Sequence, residues 1–220
     1  MADPEDTWPQ PQYNPGRPKH LHALGVMAIN YRAFQRSMDD LYRFHLQIQK
    51  IPDALINAYY FSLSEEKRIS VLKAVFEEYE KDAEVIRRVS NLAEYFYWCK
   101  NCRDELLHAE QYPALFGGHV DRLYLTKRIG KEKPKTGYIT LSLERLRGIA
   151  DKTQQGQHQC VRVRIYLRVR GKPRQSLPIA LRDDEFQSLP ETLQVPKPLK
   201  LSLVPPDGPL APYLQKSSHQ

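Results

Sequence analysis

The sequence predicts a mainly α protein: a four-helix-type bundle with an appended β-hairpin and a C-terminal helix, flanked by disordered proline-rich termini. Three observations predict it. Apolar residues recur at three- and four-residue steps over most of residues 19–110. The pattern then shortens toward strand spacing around residues 121–141. Prolines crowd both ends, five of them before residue 19 and nine from Pro173 onward, where no periodicity survives.

Each element has its own signals. Residues 1–18 carry Pro4, Pro9, Pro11, Pro15 and Pro18 and read as a disordered lead-in. A long helix follows over residues 19–49, with Leu24, Met27, Ala28, Tyr31, Phe34, Met38, Leu41, Tyr42, His45 and Ile48 on its apolar stripe. Pro52 breaks the chain, and residues 53–61 make a short helix with Asp53 as an anion in its first turn. Ser64 caps a third helix over 65–80, whose stripe is Ile69, Leu72, Val75, Phe76 and Tyr79. Lys81-Asp82 forms a corner. The fourth helix runs over 83–110 with Val85, Val89, Leu92, Phe96, Cys99, Arg103 and Leu106 on one face, so one arginine interrupts an apolar stripe. Four helices with short connections read as a bundle.

Beyond Gly117-Gly118, Leu123 and Leu125 pair with Tyr138 and Thr140 as a hairpin across a lysine-rich loop at 129–135. Ser142 and Glu144 open another helix through Leu146, Ile149 and Ala150. The run at 157–170 is open between two readings. Its alternating Val, Ile and Arg suit a strand, whereas Ala150, Thr153, Gln157, Cys160 and Arg164 continue a helix, which we favour despite the ~1 kcal/mol cost of Gly156. Residues 173–220 read as a mostly disordered proline-rich tail.

The composition narrows the function. No apolar run approaches the ~18–20 residues that span a bilayer, and the acidic, proline-rich start is unlike a signal peptide. A cytoplasmic protein without a membrane partner is expected. Three cysteines make no disulfide framework. Residues 1–116 hold 14 Lys+Arg against 17 Asp+Glu, and residues 117–220 hold 19 against 9. The positive excess therefore lies entirely after residue 116, which suits a polyanion partner or, more plainly, a solvated surface.

Chemistry concentrates at Arg103-Asp104-Glu105-Leu106-Leu107-His108, where the strongest helical pattern meets a turn. A guanidinium fork matches phosphate oxygens, and an imidazole exchanges a proton near neutral pH. Asp104 and His108 are four apart and share a helix face, so Asp104 can orient the imidazole. Arg103 and His108 are five apart, about 140° around a regular helix. They converge if the helix frays at His108, or across a two-fold axis between protomers. The plain alternative is a helix-end cluster that pairs charges.

This arrangement resembles the HEPN superfamily, in which an arginine, a polar residue and a later histidine close a late helix of a small bundle. Arg103, Asp104 and His108 match in order, type and spacing, with Asn101 and Ala109 as flanks. The sequence departs from the common pattern at Gln35, where an acidic residue is usual, and at Asp104, where asparagine is commoner. The resemblance implies a HEPN-like domain over residues 19–172. It also implies a homodimeric, metal-independent endoribonuclease or RNA-binding protein, a candidate for toxin–antitoxin or defence roles. It would need no cofactor. By resemblance, His108 moves a proton at the RNA 2′-hydroxyl or the leaving oxygen, Arg103 holds the scissile phosphate, and the product is a 2′,3′-cyclic phosphate. The alternative is a non-catalytic helical interaction module that binds a protein or nucleic acid through its basic C-terminal part.

Other constellations are weaker. Arg162, Arg164, Arg168 and Arg170 form a row that could track an RNA backbone, with Tyr138 and Tyr166 stacking on bases, or a solvated face with arginine stems on the bundle. Cys99-x-x-Cys102 lies mid-helix and reads as core rather than metal, although Cys160 and His108 could extend it. His45 reads as a satisfied core histidine and His20 and His22 as solvated, while His119 lies close enough in sequence to reach the motif. His158 and His219 carry no signal. No Gly-rich phosphate loop, H-E-x-x-H or serine elbow is present.

Overall fold

The computed structural model describes residues 18–60, 62–108, 110–111, 122–129, 135–200 and 202–203. Residues 1–17, the 130–134 loop, His119 and most of the stretch after residue 200, for which the sequence carried expectations, lie outside them. The described chain is mainly α-helical. Helices α1 (Pro18–Ile48), α2 (Asp53–Tyr60), α3 (Glu65–Tyr79) and α4 (Ala83–Leu107) are followed by three strands, α5 (Leu143–Val169) and a fourth strand. No helix among the described residues is long and apolar enough to cross a membrane.

Two compact units share the long helices. The first draws on Met1–Met27, Asn101–Ala150 and Pro198–Gln220, and the second on Ala28–Lys100 and Asp151–Lys197. In the first, β1 (Glu110–Gln111), β2 (Arg122–Ile129), β3 (Lys135–Ser142) and β4 (Ser202–Leu203) form an antiparallel sheet in that order. The expected hairpin is β2–β3, in register from Arg122↔Ser142 to Ile129↔Lys135. The outer strands β1 and β4 are two residues each, too short to leave a signal in the sequence. The Ser142 hydroxyl then accepts the Arg145 N–H, which caps the first turn of α5.

The second unit is the helical bundle. Its core is aromatic, because the α1 stripe carries rings that meet rings on three other helices. Tyr31 and Phe34 pack on Phe96 of α4, with centroids 5.4 and 5.2 Å away. Tyr42 stacks on Tyr60 of α2, and His45 on Phe76 of α3, both at 3.9 Å. The 157–170 run is helix. Cys160, Val163 and Leu167 are buried at helical spacing, while Val161 and Ile165 are only half-buried. Tertiary packing thus decides between the two local periodicities.

Gly156 fixes how close α5 lies to α1 and α4. A Cβ there would stand 2.6 Å from Phe34 Cε1 and 3.0 Å from Tyr95 Cδ1, and both rings are fully buried. The glycine's helix penalty is therefore the cost of a close approach. Gly156→Ala should lower stability despite a helix-propensity gain of ~1 kcal/mol, and Gly156→Val by roughly 2–3 kcal/mol, since overpacked cores strain their neighbours. Urea denaturation would measure both.

Several expectations need correction. Tyr79 and Ile48 are exposed rather than core; each is in the last turn of its helix. Ser64 occupies the N-cap position of α3 with extended backbone, but its side chain makes no capping bond. His20 is buried instead of solvated. The proline-rich stretch 173–200 also departs from the expectation of a mostly disordered tail. It makes three short 3-10 turns and then runs extended along the second unit as far as Lys197. Asn91 of α4 donates to the Leu193 carbonyl at 2.9 Å and accepts its N–H at 2.8 Å, as a neighbouring strand would. Trp98 donates to the Lys197 carbonyl at 3.1 Å, and Leu177 and Leu193 are buried.

Candidate functional site

Arg103, Asp104 and His108 come together at the C-terminal end of α4, within the first unit. Asp104 is the hub. Its Oδ1 accepts from Arg103 Nε at 2.9 Å and from Nη2 at 2.6 Å, so one edge of the guanidinium is engaged. The same oxygen is 3.9 Å from His108 Nε2. That is ion-pair reach and too long for a hydrogen bond, so the tautomer-fixing bond expected from the sequence is not made in this arrangement. The imidazole is 71% exposed, whereas the Arg103 and Asp104 side chains are 22% and 25% exposed. Arg103 thus emerges from the edge of the core, and His108 stands in solvent just past the last helical residue.

Local chain geometry explains the cluster. Residue 108 lies one turn after 104, and its N–H still donates to the Asp104 carbonyl at 3.3 Å. The helix therefore holds its pitch up to His108. Its C-terminal dipole favours cations at this end, which suits a guanidinium and a protonatable ring around one carboxylate. Such a cluster can bind a phosphate oxygen through Arg103 and exchange a proton through His108.

The arginine row is distributed differently from a ladder. Arg170 grips Glu80 with both terminal guanidinium nitrogens, Nη1 and Nη2, at 3.0 and 2.6 Å. Arg164 pairs with Asp40 at 2.8 Å, and Arg162 donates to the Glu185 carbonyl at 3.1 Å. Arg168 is exposed. Tyr166 is half-buried, and Tyr138 lies in β3. Because a helix turns 100° per residue, four arginines in an alternating run fan around the axis instead of lining up.

Sequence reading passed over a second arginine set. Arg32 and Arg36 of α1 line an open groove with Arg68 of α3. Arg43 and Phe44 of α1 line another with Arg164 and Arg168 of α5. The available signal was the spacing of positions 32, 36 and 43, which returns them to one helix face.

The cysteines are core. Cys99, Cys102 and Cys160 are free and buried. Burial pushes the Cys102 thiol up to about 12, and Cys160 lies 3.6 Å from the Met38 sulfur with its thiol also pushed up by burial. Both are thiols at neutral pH and poor metal ligands in that form. Among the described residues no three His, Cys, Asp or Glu side chains are grouped to hold a metal ion.

His45 is buried as expected, but it is not satisfied. Neither ring nitrogen has a hydrogen-bond partner among the described residues. Burial pushes its pKa down, the nearby Glu80 carboxylate opposes this, and Arg170 adds to it. With a folded value below the ordinary ~6.5, the unfolded chain takes up the proton first. The contribution to stability is complete above about pH 6.5 and is lost as pH falls below it. The urea midpoint should therefore drop between pH 7 and pH 5.5, and His45→Phe should flatten that slope while keeping the stack on Phe76. An equal slope in the variant would assign the effect to other groups.

No protein-family model, no curated protein and no solved structure matches the chain. The functional reading rests on the residues themselves.

Proposed function

We propose that the protein is a HEPN-like, metal-independent endoribonuclease that acts as a homodimer through Arg103, Asp104 and His108. The observation that carries the reading is the meeting of a guanidinium, a carboxylate and an imidazole at the end of α4. In the reaction, the RNA 2′-oxygen attacks the adjacent phosphorus as its proton passes to a base. The bond to the 5′-oxygen breaks, and that oxygen takes a proton. The products are a 2′,3′-cyclic phosphate and a 5′-hydroxyl, so neither water nor metal enters the step. One imidazole cannot accept and donate in the same step, so the same histidine of a second protomer supplies the other role, which is the reason for a dimer. Arg103 stabilises the charge that grows on the phosphate.

One observation favours a second reading. Asp104 engages the Nε–Nη2 edge of Arg103 and would compete there with a scissile phosphate, which suits RNA binding without cleavage. Incubation with single-stranded RNA in EDTA separates the two: cutting supports the nuclease, and binding without cutting supports the alternative. Sedimentation at micromolar concentration should give a dimer, and a strict monomer would contradict the shared site.

A further inference from the structure

The second unit carries a basic face that the cleavage reading does not use. At 100° per residue, Arg32, Arg36 and Arg43 fall within about 40° of one another on α1, and the 1.5 Å rise spreads them over about 16 Å. Open grooves flank this stripe. Arg68 of α3 stands across the first, and Arg164 and Arg168 of α5 across the second. Two carboxylates are among the residues lining these grooves, and both are engaged. Asp40 pairs with Arg164 at 2.8 Å, and Asp39 lies 3.8 Å from Arg68. Six guanidinium groups against two carboxylates leave the face strongly positive. Arg32, Arg36 and Arg168 are its exposed members.

The second groove also holds an aromatic ring. Phe44 is half-buried and lines this groove together with Arg43, Arg164 and Arg168. Cations along a track with an aromatic platform beside them are the pairing that binds single-stranded nucleic acid. We propose that this face of α1 binds the phosphate backbone of single-stranded RNA, with Phe44 stacking on a base. The choice of RNA rests on the reading of the protein as RNA-directed. The binding itself does not depend on Arg103 or His108.

The test is the affinity of full-length protein for a fluorescent single-stranded RNA, measured across a range of salt. The variant Arg32→Ser/Arg36→Ser/Arg168→Ser removes three exposed side chains with little risk to folding. If each meets a phosphate, the log–log salt slope should fall by about 2, at ~0.7 per contact. Phe44→Ala should weaken binding about tenfold without changing the slope. Arg103→Ala/His108→Ala should leave the slope within about one contact of wild type. A wild-type protein that binds RNA steeply, with a slope the triple variant does not change, would overturn this face and leave the RNA reading standing. No RNA binding by the wild type would overturn both. Displacement of RNA by poly-glutamate at equal charge, together with a silent Phe44→Ala, would make the face a general anion surface and refute the proposal.

Discussion

Arg103→Ala and His108→Ala should each reduce metal-free RNA cleavage by ~10²–10³-fold, the usual loss when one charge-stabilising or proton-transferring group is removed. His108→Ala should hardly move stability, because its ring is largely in solvent. Arg103→Ala removes the partner of a carboxylate that is only 25% exposed and should lower the denaturation midpoint as well. For His108→Ala the loss should therefore appear in kcat with an unchanged denaturation midpoint. Arg103→Lys keeps the charge without the planar fork and should recover only part of the rate. Asp104→Asn is the informative companion. It keeps an Oδ1 acceptor but removes the charge, so it loosens the grip on the guanidinium edge and should retain activity. If Asp104→Asn were as inactive as the alanine variants, the carboxylate itself would be essential, and its role as a positioning residue would be wrong.

The second large effect lies in the Glu80–Arg170 pair. Glu80 closes the corner between α3 and α4, accepting the Lys81 and Asp82 N–H groups at 2.9 and 3.0 Å and both terminal guanidinium nitrogens of Arg170. Burial pushes its carboxyl up, but the Arg170 hydrogen bonds and the two backbone N–H groups outweigh this and hold it below the ordinary range. Its side chain is 5% exposed and that of Arg170 is 33%. Breaking such a pair is costly on the buried side, so Arg170→Ala, which strands the carboxylate, should cost about 3 kcal/mol. The pH dependence follows from the lowered folded value. The pair's contribution is present above the unfolded carboxyl value of ~4.3 and lost as pH falls through the folded one. The difference between wild type and Arg170→Ala should therefore shrink on acidification below about pH 4. A constant difference would mean that Arg170 acts through packing alone.

These two sites differ in how far the sequence reveals them. The Arg103 cluster spans one helical turn, so its meeting follows from spacing once the helix is recognised. The apolar stripes of α1, α3 and α4 are legible for the same reason: their buried members repeat at the helical period. Glu80 and Arg170 are 90 residues apart, and nothing local marks them as partners. The run ending at Arg170 satisfies strand and helix periods together, and only the burial of Cys160, Val163 and Leu167 resolves it. The proline-rich stretch has no period at all. Its course depends on Asn91 and Trp98 taking up backbone groups that the segment cannot pair internally. Gly156 shows the same limit, since a helix-weakening residue is intelligible only beside Phe34 and Tyr95.

The most direct measurement uses a DNA oligonucleotide with one internal ribonucleotide, incubated with the protein in EDTA, and mass analysis of the ends. A single cut on the 3′ side of the ribonucleotide is expected, leaving a 2′,3′-cyclic phosphate and a 5′-hydroxyl, with the all-DNA control intact. Cutting of the all-DNA strand, 5′-phosphate ends, or no cut at all in EDTA would contradict this mechanism.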